Sequence, residues 1–130
     1  VAHELGLNTN GTILYGHIDH TDERLVHMDM LRKAQDEALT RLGYEAAADG
    51  SVTLTRPGVA QPTPDMPSRG GYFQTIIPLP FFPDGSDLEA LPGPGGLENL
   101  RTIAVSRLML DNFPHVKAFW IMQTLGMAQL

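Results

Sequence analysis

Apolar positions fall into three short runs separated by two long stretches of helical spacing. The first run, over 12–18, is Thr12-Ile13-Leu14-Tyr15-Gly16-His17-Ile18, β-branched and aromatic, with Asn10-Gly11 reading as a turn before it. The second, over 72–77, is expected to stop at Pro78 and Pro80, which cannot donate to a sheet ladder. The third covers 116–122, Val116 to Met122. None alternates strictly, the pattern expected of strands in a parallel sheet.

Leu25, Met28, Leu31, Ala38 and Leu42 recur at helical spacing between the first two runs. Thr21 is the expected cap, Asp22 and Glu23 suit the first turn, and Gly43 ends the helix. A second helix over 97–112 carries a stripe of Leu97, Leu100, Ile103, Ala104 and Leu108, with Arg107 and Asp111 spaced to pair across one turn. Pro114 forbids its continuation. Strand, helix, strand, helix, strand is the arithmetic of crossover units in a parallel sheet. Three strands cannot close a barrel; they can form an arc of a larger one or a small open sheet with one bare face, and the exposed apolar faces favour the arc as the expected α/β architecture. One domain over 1–130 is expected, with a Pro-rich loop insertion over 44–71 and a small strand within it at 51–55.

The 130 residues carry nine Lys and Arg against fifteen Asp and Glu, a net charge of −6, and a mean hydropathy of −0.10. A phosphate-backbone binder needs a basic face, so no nucleic-acid partner is expected. No apolar run approaches the roughly 18 residues of a membrane span, and no charged-then-apolar leader is seen, so no membrane is expected and the location is read as cytoplasmic. Cysteine is absent, which excludes disulfides and thiolate ligation within these residues. The start at Val1 and the stop at Leu130 after an apolar stretch read as cut ends.

In parallel α/β folds ligands meet the carboxyl ends of strands. That rule selects Tyr15, His17 and Asp19 after the first strand, Gln74 on the second, and Lys117 on the third as substrate-binding candidates. A buried lysine or amide needs a partner that a substrate could supply. Two imidazoles and a carboxylate in His17-Ile18-Asp19-His20 could hold a metal, but neighbouring strand residues point apart, and no metal ligand is assigned. The Gly93-Pro94-Gly95-Gly96 run lacks the Lys-Ser or Lys-Thr of a phosphate loop.

These residues also carry a resemblance. The stretch from Asn8 to Ile18, then Leu31 to Glu37, Phe73 to Leu79, and Arg101 to Asn112 resemble the radical S-adenosylmethionine enzymes of the futalosine menaquinone pathway. With Val116-Lys117-Ala118-Phe119-Trp120 the likeness is greatest to the aminodeoxyfutalosine synthases. The related dehypoxanthine futalosine cyclases and FO synthase components tend to have glutamine and serine before that tryptophan. The chain departs from the family by an insertion of roughly thirty residues between Glu37 and Gly70, by Asp19 where a glutamate is common, and by the absence of the cluster cysteines.

The resemblance implies a C-terminal portion of a radical SAM (β/α) barrel and a transferase reaction. The full enzyme would use S-adenosylmethionine and a 4Fe–4S cluster to add a 5′-deoxyadenosyl radical to the enol-ether double bond of 3-[(1-carboxyvinyl)oxy]benzoate, and rearrangement with loss of the carboxyl group would then give 6-amino-6-deoxyfutalosine. Tyr15, His17, Asp19, Gln74 and Lys117 would line the substrate pocket, Lys117 pairing with a carboxylate. The cluster ligands would lie outside these residues, which by themselves are expected to be inactive. The implied partners are the small-molecule substrate and the remainder of the barrel. The alternatives are a non-catalytic fragment, a His/Asp metal-binding domain, or one of the related enzymes of the group.

Overall fold

The computed structural model describes residues 1–53 and 70–130. Their order is β1 (Thr9–Tyr15), α1 (Thr21–Arg41), β2 (Phe73–Pro80), α2 (Gly96–Met109), β3 (His115–Val116), α3 (Trp120–Gln123) and α4 (Leu125–Ala128), preceded by a 3₁₀ turn at His3–Leu5. The strands form one parallel sheet in the order β1-β2-β3, as the sequence pattern predicts. Among the described residues no helix is long and apolar enough to cross a membrane.

Both long helices cover the same sheet face. Ile13 of β1 and Ile76 of β2 pack with Met28 of α1 and with Leu110 and Phe113 after α2, and Val105 and Met109 close around them. Each such apolar side chain, fully buried, contributes about 1.5–3 kcal/mol. The Phe73 and Phe113 rings stack at 5.3 Å. On the opposite face Thr12 and Leu14 lie open, Leu14 at 49% exposure. A parallel sheet covered on one side only fits the expected arc of a larger barrel.

Several boundaries differ from the sequence reading. β1 begins three residues earlier, because Gly11 sits inside the strand where a Cβ would stand 3.2 Å from Ile76. Pro78 and Pro80 remain within β2. Phe81 N–H donates to Tyr15 O and Lys117 N–H to Ile76 O, so even positions at this end of β2 turn toward β3. The missing proline donors therefore face the side where β3 has already ended. The third strand is only His115–Val116, and Trp120, expected within it, is exposed on α3.

The α2 stripe also lies elsewhere. Leu97, Leu100 and Leu108 are exposed, Leu108 at 79%, while Asn99, Thr102 and Ser106 are buried. Hydrogen bonding explains the rotation: Ser106 Oγ donates to Thr102 O at 2.7 Å, and Asn99 accepts from Tyr15. Small polar residues satisfied this way let α2 approach the sheet closely. Arg107 and Asp111 do not pair; Arg107 donates to Leu110 O and Phe113 O, and Asp111 binds Arg32 of α1.

α1 follows the spacing more closely, burying Met28, Gln35, Ala38 and Leu39, and Gly43 adopts φ +94° just after it. Thr21 is its first residue rather than its cap; His20 N–H instead donates to the Glu23 carboxylate at 2.7 Å. The predicted insertion over 44–71 is described only at its edges. Val52 is buried against Leu39 and Leu42, and residues 51–53 form no strand. Positions 54 and 55 of the predicted small strand lie outside the described residues.

Candidate functional site

β1 ends at Tyr15 because Gly16 turns the chain at φ +84°. A Cβ on Gly16 would meet Pro94 carbons at 2.6 Å, so only glycine lets the loop before α2 close over this turn. The turn is held by Asp19. Its Oδ1 accepts Gly16 N–H at 2.8 Å and His17 N–H at 2.9 Å, and its Oδ2 binds Arg24 Nε. Arg24 reaches on to Glu98 of α2 at 2.8 Å and lies 5.4 Å from the Tyr15 ring centre. Three elements, the β1 end, α1 and α2, are thus joined by one charged chain.

Electrostatics follow from this packing. Burial works against the Asp19 charge, yet the Arg24 guanidinium and the His17 and Gly16 amides hold its carboxyl below the usual carboxylate value. Arg24, likewise opposed by burial, is driven higher by Asp19 and Glu98. Burial is the main cause that pushes the Tyr15 phenol up to about 12, assisted by the Glu98 charge.

Tyr15 has no exposed surface; its hydroxyl donates to Asn99 Oδ1 at 2.8 Å and receives Gln123 Nε2 at 3.4 Å. Gln123 is only 4% exposed, and its Oε1 has no partner. His17 stands edge-on to Phe81 at 5.9 Å, just beyond the end of β2.

The structure brings Tyr15, His17 and Asp19 together and sets the other two candidates apart. Gln74 occupies the irregularity near the start of β2, unpaired between Phe73 and Thr75, and is exposed at the opposite end of the strand. Six residues of extended chain separate it from Pro80, about 20 Å. Lys117 follows β3 directly, exposed, with Nζ 5.9 Å from the Phe119 ring centre. Arg24, Glu98 and Asn99 were not singled out from the sequence. A signal existed for Arg24: a cation in a helix's first turn opposes the dipole and calls for acidic partners.

Among the described residues no three His, Cys, Asp or Glu side chains converge on a possible metal position. Asp19 is committed to two amides and Arg24. With no cysteine in the sequence, these residues offer no thiolate to an iron–sulfur cluster.

The class defined by this arrangement is a one-sided parallel α/β layer with a polar cluster at the carboxyl ends of its strands. Within that class the relationship read from the sequence is borne out: along its whole length the chain is similar to part of the aminodeoxyfutalosine synthases. It is 41% identical to that of Thermus thermophilus, over 99% of the chain and 27% of the relative. To that of Streptomyces coelicolor it is 34% identical, over 100% of the chain and 28% of the relative. It is also 29% identical to the 5-amino-6-(D-ribitylamino)uracil–L-tyrosine 4-hydroxyphenyl transferase of Methanospirillum hungatei, over 99% and 28% respectively. The chain therefore spans about a quarter of the length of these relatives. No protein-family model matches it.

Proposed function

We propose that these residues form the C-terminal part of the barrel of a radical SAM transferase that makes 6-amino-6-deoxyfutalosine from S-adenosylmethionine and 3-[(1-carboxyvinyl)oxy]benzoate. The observation that carries this reading is the 41% identity to the Thermus aminodeoxyfutalosine synthase over nearly the whole chain. The bare sheet face supports it, because in a closed barrel that face would line the interior, and the β1 and β3 edges would take the further strands.

The residues do not fit the role of cluster holder, since none is a cysteine. Cluster and S-adenosylmethionine would be bound by other parts of the protein. What this portion offers is position. His17 and the exposed Lys117 are proposed to face the substrate, Lys117 toward a carboxylate. Asp19 supports His17 through its backbone amide, and Tyr15 ties the end of the same strand to α2. Gln74, about 20 Å from Pro80 at the opposite end of β2, is outside the proposed pocket.

A second reading, the tyrosine 4-hydroxyphenyl transferase reaction, draws on the 29% identity to the Methanospirillum protein. Offering the full-length, anaerobically reconstituted protein each substrate set separates the two. Formation of 6-amino-6-deoxyfutalosine is expected; turnover only with L-tyrosine and 5-amino-6-(D-ribitylamino)uracil would overturn the first reading.

A further inference from the structure

We propose that His17 is a neutral hydrogen-bond donor, presenting Nε2–H to a ligand oxygen above the ends of β1 and β2, and that Asp19 is the positioning residue that holds it there. For the ligand's identity, an aryl carboxylate, the proposal rests on the function proposed above.

The tautomer follows from one contact. Ile18 N–H donates to His17 Nδ1 at 2.7 Å. That nitrogen must therefore carry a lone pair, and a neutral ring then has its proton on Nε2. Asp19 Oδ1 lies 3.6 Å from Nδ1, too far for a hydrogen bond. The carboxylate instead grips the backbone amides of Gly16 and His17, fixing the turn that aims the ring. Phe81 packs against the ring edge-on, leaving a side chain 23% exposed.

Nε2–H has no hydrogen-bond partner among the described residues. His17 follows the end of β1, where loops of a parallel sheet meet their ligands. A donor with no acceptor in such a place suits a carboxylate or carbonyl oxygen, and Arg24, shared between Asp19 and Glu98, offsets one of the two carboxylate charges beside it.

Long-range ¹H–¹⁵N spectra of the full-length protein, with the His17 signals identified by their loss in H17N, test this directly. The expected result is an Nε2–H tautomer whose Nε2 resonance moves when 3-[(1-carboxyvinyl)oxy]benzoate is added. An Nδ1–H tautomer, or an Nε2 resonance that the benzoate leaves in place, overturns the role of His17.

Kinetics supply the second arm. A glutamine amide nitrogen reaches close to the Nε2 position, whereas asparagine reaches only as far as Nδ1. H17N should raise KM for the benzoate about 10- to 100-fold, the worth of one hydrogen bond to a charged group. H17Q should raise it much less, and equal effects of the two would count against a donor at Nε2.

D19A should mix the tautomers and raise KM, while D19N, which keeps an acceptor oxygen, should preserve the wild-type tautomer. Unchanged tautomer and KM in D19A would remove Asp19 from the proposal. Binding needs no turnover, so the two readings fail separately. A protein that makes no product but shifts Nε2 with benzoate retains the donor and loses the assigned reaction; one that turns over without that shift does the reverse.

Discussion

The Tyr15 hydroxyl donates to the Asn99 side chain at 2.8 Å, joining the last residue of β1 to the first turn of α2. Both groups are buried, so neither can exchange this bond for water. The contact keeps the α2 end of the Asp19–Arg24–Glu98 chain in register with the turn that carries His17.

Y15F should therefore cost about 1–3 kcal/mol in denaturant unfolding at neutral pH, since it leaves the Asn99 oxygen unpaired. The cost should also depend on alkalinity. The phenol titrates near 10.0 when unfolded and about 12 in the folded chain, so rising pH ionises the unfolded state first and erodes stability across that interval. Phenylalanine has no such loss. The gap between the two proteins should narrow from pH 10 to 12, and a constant gap would mean that the buried phenol is not responsible.

Asp19 gives the opposite limb. Its folded carboxyl titrates below the ordinary value of 3.8, so its contribution is complete above that pH and is lost as pH falls through the lower folded value. D19N should reduce stability at pH 7 by about 1–3 kcal/mol, through the lost bond to Arg24. It should also flatten the acid side of the stability profile. Equal acid sensitivity of the variant and the parent would place the acid limb on other carboxylates.

The part of the site that was legible from the sequence is the part contiguous with a strand end. Tyr15, His17 and Asp19 follow one another along the chain, and the rule for parallel sheets was sufficient to find them. Arg24, Asn99 and Gln123 complete the cluster from α1, α2 and α3, and nothing local in residues 12–20 encodes those approaches. The three parallel strands were read from apolar runs and Gly16 from nothing more than its place within one; its positive φ ends β1 earlier than the run of hydrophobic residues suggests. On α2 the periodicity was real but its direction was not, because hydrogen bonds rather than hydrophobicity select the buried side.

Gly16 offers a sharp contrast with another glycine. G16A places a Cβ 2.6 Å from Pro94 at a φ of +84°, so strain of about 1–3 kcal/mol is expected before the loop even shifts. Gly126, inside α4, has open space around it. G126A should be neutral or stabilising by about 0.5–1 kcal/mol, as alanine is favoured over glycine in a helix. Comparing the two melting curves checks whether the turn, rather than glycine content in general, sets the sensitivity.

The reversed face of α2 makes the last prediction. Ser106 has no exposed surface, with its hydroxyl tied to Thr102 O and set 4.0 Å from Met28 Sδ, so there is no room for a larger side chain. S106L should destabilise the protein by about 1–3 kcal/mol through overpacking, although it makes the buried side more hydrophobic. Leu108, two residues on, is 79% exposed, and L108Q should alter this layer's stability by no more than about 0.5 kcal/mol. If the sequence-read stripe were the packed side, the order would invert, with L108Q costly and S106L tolerated. Paired urea titrations of the two variants decide between these orientations, because the same substitutions carry opposite consequences in each.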